Sequence, residues 1–255
     1  MCGRFALIHR PEAVAEALGL ADLEDFPARY NIAPTQPILI VTAGPPRAPG
    51  SNRPERRALL ARWGFVPSWV KDPAGFPLLV NARSETAAGK ASFRAAMRHR
   101  RVLVPASGFY EWKGTGRKGA QPYWVRPKGG GVVAFGGLME TYAGPGGSEI
   151  DTAAILTAAA NAEIAHIHER MPVVIRPQDI SRWLDCVGNE PRDVADAMRP
   201  VEPGFFEAIP VSDRVNKVAN AGPELQEPVQ AGALPPAAPA EKPKPAPDDD
   251  QLKLF

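Results

Sequence analysis

An α+β domain is the fold class this sequence predicts. Three observations carry that expectation. Strand-like runs outnumber helical ones, the two do not alternate as a doubly wound sheet requires, and a chain of 255 residues that is 44% hydrophobic has ample material for one core. The layout expected is one compact domain over residues 2–226 with short flanking helices, then a disordered tail over 227–255.

The elements follow in order. Gly3-Arg4-Phe5-Ala6-Leu7 runs from a permissive glycine into an apolar stretch that would dock the terminus in a core. Pro11 to Leu20 reads as a short helix, with Pro in its first turn, Val14 and Leu18 four apart, and Gly19 near its end. Asn31-Ile32-Ala33-Pro34-Thr35 reads as a loop, Ile38 to Thr42 as a strand, Arg47 to Arg56 as a Pro-rich connection, and Leu59 to Phe65 as a returning strand. Ser84 to Arg98 reads as a helix opening on Ser84 as its cap. Strand-like runs follow at Val102–Val104, Gly108–Trp112, Pro122–Arg126, Val132–Leu138 and Thr152–Ala158, separated by turns such as Gly114-Thr115-Gly116 and Gly129-Gly130-Gly131. Val173 to Ile175 leads into a helix over Pro177–Cys186, and Glu190 to Met198 makes another.

Composition excludes several classes. No apolar run approaches the ~18 residues a membrane span needs, and the N-terminus lacks the charged-then-apolar layout of a signal peptide. Only Cys2 and Cys186 occur, which argues against a disulfide framework and fits a reducing cytosol. There is no CxxC and no HExxH; His166 and His168 lack a third ligand nearby, so neither a metal nor a cofactor is expected. Net charge is +2, but Arg94, Arg98, His99, Arg100 and Arg101 cluster in one segment suited to phosphate contacts.

The residue with the most specific chemistry is Cys2, in Met1-Cys2-Gly3-Arg4. Removal of Met1 would leave an amine and a thiol on one residue. Such a pair condenses with an aldehyde as a Schiff base and then closes sulfur onto the same carbon, giving a five-membered thiazolidine. With ordinary pKa values of ~8.5 for the thiol and ~7.7–8.0 for the amine, both are partly nucleophilic near neutral pH. Four further segments concentrate polar residues that structure alone does not ask for: Asn81–Glu85, Pro105–Trp112, Ala159–Asn161 and His166–Pro172. Glu111 lies among aromatics in a strand-like run, where it faces either solvent, which alternation alone favours, or a half-buried pocket that raises its pKa. His168 reads as a residue on a turn entering a strand, structural or catalytic.

Six motifs occur in an order that resembles one family: Cys2-Gly3-Arg4-Phe5; Asn31-Ile32-Ala33-Pro34-Thr35; Arg62-Trp63-Gly64-Phe65-Val66-Pro67-Ser68-Trp69; Asn81-Ala82-Arg83-Ser84-Glu85; Gly108-Phe109-Tyr110-Glu111-Trp112-Lys113; and His168-Glu169-Arg170-Met171-Pro172. They resemble the SOS-response-associated peptidase (SRAP) family, whose members capture abasic sites in single-stranded DNA. The resemblance spans roughly residues 2–220 and implies a compact α+β fold around a β-barrel-like core of mixed or antiparallel sheet. It also implies a positively charged groove for single strands and a mature chain beginning at Cys2; a monomer in the cytoplasm, at the nucleoid if the source is bacterial, is the accompanying expectation. On that resemblance Cys2 is the nucleophile, Asn81 holds the linkage, Glu111 is the acid/base carboxylate, and His168 opens the sugar and shuttles protons. Arg83 matches a phosphate contact, and Arg4, Pro34, Trp63, Trp112 and Arg170 lie in motifs implied to line the DNA channel.

A Met-Cys-Gly start also resembles N-terminal-nucleophile glutamine amidotransferases, in which the cysteine attacks an amide carbonyl. Arg4 disfavours that reading, since those enzymes continue with a small apolar residue after the glycine. A self-processing cysteine peptidase that removes its own Met1 is a further alternative.

From about Glu227 the chain changes character: residues 228–255 hold seven prolines, three Lys and four Asp/Glu, too little apolar surface to order themselves. The closing Gln251-Leu252-Lys253-Leu254-Phe255 resembles the short motif that binds the bacterial sliding clamp, through Gln251, Leu252, Leu254 and Phe255. A Pro/Ala linker would raise its effective concentration at a clamp while the body engages DNA. Deleting 251–255 is expected to abolish co-migration with a bacterial clamp in gel filtration; full-length protein that never co-migrates would refute the assignment.

Overall fold

The computed structural model describes residues 2–45, 55–114, 119–144 and 146–231. Most of the Arg47–Arg56 connection, part of the Gly114-Thr115-Gly116 turn, the tail from 232 onward and the clamp-like pentapeptide lie outside the described residues.

In chain order the elements are β1 (Phe5–Leu7), α1 (Pro11–Leu18), β2 (Arg29–Ile32), β3 (Pro37–Ala43), β4 (Arg56–Trp63), β5 (Asn81–Arg83), α2 (Ser84–Ala87), α3 (Arg94–His99) and β6 (Arg101–Ala106). There follow β7 (Gly108–Lys113), β8 (Gln121–Pro127), β9 (Val133–Ala143), β10 (Glu149–Ala159), β11 (Arg170–Pro172), α4 (Ile180–Leu184) and β12 (Phe206–Pro210). β3, β4, β10, β9 and β6 form a closed ring of pairings, a five-stranded barrel. Its β4–β10 seam is parallel and the other four are antiparallel. A second sheet, ordered β12-β8-β7-β1-β2, is antiparallel throughout. The α+β class with a barrel core therefore stands, and among the described residues no helix is long and apolar enough to cross a membrane.

The two sheets meet over β1. Its Phe5 packs edge-on against Trp63 of the barrel at 5.1 Å and Phe135 at 6.5 Å, while Phe109 of β7 meets Phe135 at 6.1 Å and Phe206 at 5.5 Å. Each such pair adds about 0.5–1.5 kcal/mol beyond its burial. Ala6 faces the opposite way, into a smaller cluster with Tyr110, Trp124, Val211, Val215 and Leu225. A strand buried on both faces docks the N-terminus in the core, as the apolar Phe5-Ala6-Leu7 run leads one to expect. The chain passes from barrel to second sheet at Gly108, where a Cβ would stand 2.4 Å from the Val125 carbonyl oxygen and 2.7 Å from the Trp124 ring. Only glycine permits that approach.

The seven strands read from pattern are all present and each is longer than expected, although β4 ends at Trp63, two residues before the expected Phe65, and β9 begins at Val133 rather than Val132. The helices are shorter than expected. α1 stops at Leu18 because Gly19 turns left-handed at φ 61° and, with Leu20, sends its N–H back to the last turn. The span expected as one helix over Ser84–Arg98 is two: the Thr86 carbonyl accepts from both Gly89 and Lys90, and the chain turns before Phe93 reaches the core against Phe65. Nor is Ser84 the cap, a position that falls to Arg83 with no side-chain bond. Pro177–Cys186 becomes a 3₁₀ turn followed by α4, which ends where the Asp185 carboxylate accepts the N–H groups of Val187 and Gly188. Glu190–Met198 becomes two 3₁₀ turns, the first closed by a reciprocal cap between Glu190 and Asp193.

Backbone pairing continues past residue 226: Val211 bridges Pro228, and the Val229 N–H donates to Pro210.

Candidate active site

β10 organises one end of the site. Its C-terminal half takes β5 in parallel on one edge (Ile155 opposite Asn81, Thr157 opposite Arg83) and β11 antiparallel on the other (Thr157 opposite Pro172, Ala159 opposite Arg170). Asn81 and the turn carrying His168 are thereby brought to one end of one strand, although 87 positions separate them in the sequence. β7 supplies the third component. Phe5 pairs with Phe109 and the Tyr110 N–H donates to the Arg4 carbonyl, so the segment 2–4 runs antiparallel alongside Tyr110–Trp112.

The four residues expected to act together are together. Asn81 donates from Nδ2 to the Cys2 carbonyl at 2.8 Å, and its buried Oδ1 has no partner among the described residues. The amide orientation follows from that bond, since only the NH₂ end can donate to a carbonyl. Cys2 is wholly buried; its thiol donates weakly to the Arg4 carbonyl at 3.8 Å. Burial, reinforced by the Glu111 charge, pushes the thiol well above its ordinary pKa, so at neutral pH it is protonated. Glu111 is 2% exposed, which corrects the solvent-facing orientation that alternation alone favoured. It shares a strand face with Phe109, and that face is the core side. Burial raises its pKa. His168 is half-buried; its Nδ1 edge meets the Arg170 backbone, 3.0 Å from the N–H and 3.2 Å from the carbonyl oxygen, which holds the ring in place at that edge.

The channel residues divide. Arg83 is exposed and makes no ion pair among the described residues. Pro34 is half-buried and Thr35 exposed, in a turn where Thr35 takes φ 74° while its N–H donates to the Trp63 carbonyl at 2.7 Å. Trp112 is partly exposed and donates from its ring to Asn216 at 2.8 Å. Trp63 is a correction: it is fully buried, bonded to the Val80 carbonyl and packed on Phe5, so it supports the site from within and presents no surface to a channel. Arg4 points its guanidinium to Asn31 and the Val215 carbonyl, both at 2.7 Å, tying the terminus to the segment after β12. Arg170 is turned inward onto Glu85 and Thr157. Sequence reasoning passed over Asn31, whose buried Nδ2 faces three carbonyls, and Thr157, which is fully buried at the crossing of β5, β10 and β11. A polar residue inside an apolar strand such as Ala153–Ala158 was the available signal for Thr157.

A barrel with a docked N-terminal cysteine and a buried glutamate beside it defines a class. The chain matches the SOS response associated peptidase (SRAP) family over residues 1–218 and belongs to it. It is 34% identical over 230 residues to the abasic site processing protein YoqW of Bacillus subtilis, covering 89% of this chain and 99% of that one. It is equally 34% identical over 239 residues to the abasic site processing protein YedK of Escherichia coli, covering 90% and 100%. In fold it is similar to a crystal structure of a protein from Bacteroides thetaiotaomicron, with a TM-score of 0.75 over 89% of this chain and 100% of that one, at 20% identity.

Proposed function

We propose that this protein processes abasic sites in DNA by cross-linking to them in single strands through Cys2, once Met1 has been removed. The observation that carries the reading is the convergence of Asn81, Glu111 and His168, from three distant segments, on the residue that would bear both amine and thiol. The relatives' names as abasic site processing proteins support the same substrate.

In this reading the abasic deoxyribose, mostly a closed hemiacetal, is opened to its aldehyde by proton transfer through His168. The Cys2 amine attacks the aldehyde carbon, and the resulting carbinolamine loses water as Glu111, whose pKa burial raises, supplies the proton. Glu111 is then a carboxylate close to the neutral thiol and takes its proton as sulfur closes on the same carbon. Aldehyde, amine and thiol become thiazolidine and one water, and Glu111 returns to its starting state. Asn81 holds the Cys2 carbonyl through Nδ2 and presents its open Oδ1 as an acceptor for a sugar hydroxyl or the Cys2 amine. Arg83 supplies a phosphate contact and Trp112 a flat surface, base stacking being worth ~1–3 kcal/mol per base in sequence-tolerant binding.

The test is intact-mass spectrometry of purified protein with a single-stranded oligonucleotide carrying one abasic site. The expected product has the mass of the chain without Met1 plus the oligonucleotide, less one water. No mass increase, or glutamine hydrolysis in its place, refutes the reading in favour of the amidohydrolase alternative.

A further inference from the structure

We propose that the Glu85–Arg170 ion pair is a positioning device for this reaction, fixing the His168 ring and the Asn81 side chain relative to one another. The proposal rests on the reading of the site given above.

Arg170 spends its guanidinium inward. Nη1 donates to Glu85 Oε1 at 2.7 Å and Nη2 to Glu85 Oε2 at 2.8 Å, the parallel two-bond geometry peculiar to arginine and carboxylate. Nη2 also donates to the Thr157 carbonyl and lies 3.4 Å from the Thr157 hydroxyl. The side chain of Arg170 is 12% exposed against 50% for Glu85, so the carboxylate is the solvent-facing lid of the pair. A DNA phosphate would have to displace Glu85 to reach this fork. The bond to Arg170 holds the Glu85 carboxyl below its ordinary pKa.

The geometry of the pair links two reacting segments. Glu85 stands in the first turn of α2, four residues after Asn81 and directly continuous with β5. Arg170 opens β11, and its backbone N–H is the donor to His168 Nδ1. Between them lies Thr157, opposite Arg83 on one edge of β10 and opposite Pro172 on the other. One side chain therefore staples β11 to the end of β5 across β10. β5 and β11 have only three residues each, and strands so short hold their register weakly without such a tie. With the staple in place, the Arg170 backbone holds the Nδ1 edge of the His168 ring while Asn81 remains in reach of Cys2. Arg170 and Glu85 are thus positioning residues that need not touch the substrate.

The experiment uses the full chain with three variants: Glu85→Gln, Arg170→Lys and the double exchange Glu85→Arg with Arg170→Glu. Adduct formation is timed at saturating abasic oligonucleotide, affinity for an undamaged single strand is measured by anisotropy, and the His168 ring is observed by ¹⁵N NMR without DNA. Glu85→Gln and Arg170→Lys are expected to slow the adduct step by about tenfold to 10²-fold, the scale of an about 1 Å misplacement, with affinity unchanged. The ring signals should shift away from their wild-type positions in both, and the double exchange should restore rate and signal in part. Loss of affinity with an unchanged saturated rate would make Arg170 a phosphate contact and overturn the proposal. A His168 ring unchanged in both single variants would overturn it too. If wild type forms no adduct at all, the cross-linking reading falls, while the ring measurement still decides whether the pair positions His168.

Discussion

Replacing Cys2 with alanine is expected to remove the heat-stable, denaturant-resistant adduct with abasic single strands. Alanine leaves the terminal amine in place, so a Schiff base still forms, but an imine exposed to water hydrolyses and cannot be locked by ring closure. In the wild type the thiol starts neutral, because burial and then the Glu111 charge disfavour the thiolate. Sulfur therefore closes the ring only as its proton leaves for a nearby base. The variant should show a borohydride-trappable linkage and nothing that survives heating in detergent on a denaturing gel. Equal amounts of surviving adduct in variant and wild type would mean that sulfur forms no bond to the sugar.

Glu111→Gln carries the second large effect, a fall in the rate of adduct formation of about 10²–10⁴-fold, the usual contribution of a positioned acid or base. Its pH dependence has a definite sign. Burial raises the pKa of Glu111, so the folded protein retains the proton above the ordinary carboxylate range, and the wild-type rate should decline as pH rises through that raised value. The glutamine variant should lack that limb. Stability follows the same direction: the folded state binds this proton more tightly than the unfolded one, so the group's contribution falls as pH rises from the ordinary carboxylate value through the raised one. Arg83→Ala supplies the contrast, since an exposed cation without an ion pair among the described residues should matter for binding and not for proton transfer. It should weaken affinity for undamaged strands and reduce the salt slope by about 1, with the saturated rate retained. A wild-type salt slope in Arg83→Ala would remove it from the phosphate contacts.

Much of the fold was legible where local chemistry is decisive. The seven longer strands are runs of apolar and β-branched residues bounded by Gly and Pro, and the end of α1 is written in Gly19, a residue that adopts the left-handed conformation without penalty. The five unread strands, β1, β2, β5, β11 and β12, have three to five residues each, too few for alternation to stand out from neighbouring loops. The helices were over-read for a related reason. Alanines at Ala87, Ala88 and Ala91 favour a helix locally, yet Gly89 and the inward pull of Phe93 break it.

Local pattern alone carried the α+β class, and the order of the motifs carried the family; the candidate site residues Cys2, Asn81, Glu111 and His168 stand in those motifs. Tertiary structure alone decided which way each side chain faces and what it meets. Glu111 turns to the core because β7 is covered on both faces, Trp63 supports the site from inside because Phe5 packs on it, and Arg170 spends its charge on Glu85 because Thr157 brings β5 and β11 to the same point on β10. A motif specifies which groups are available. Their direction, burial and charge partners depend on register and on contacts between segments some 80 residues apart, which no local pattern encodes.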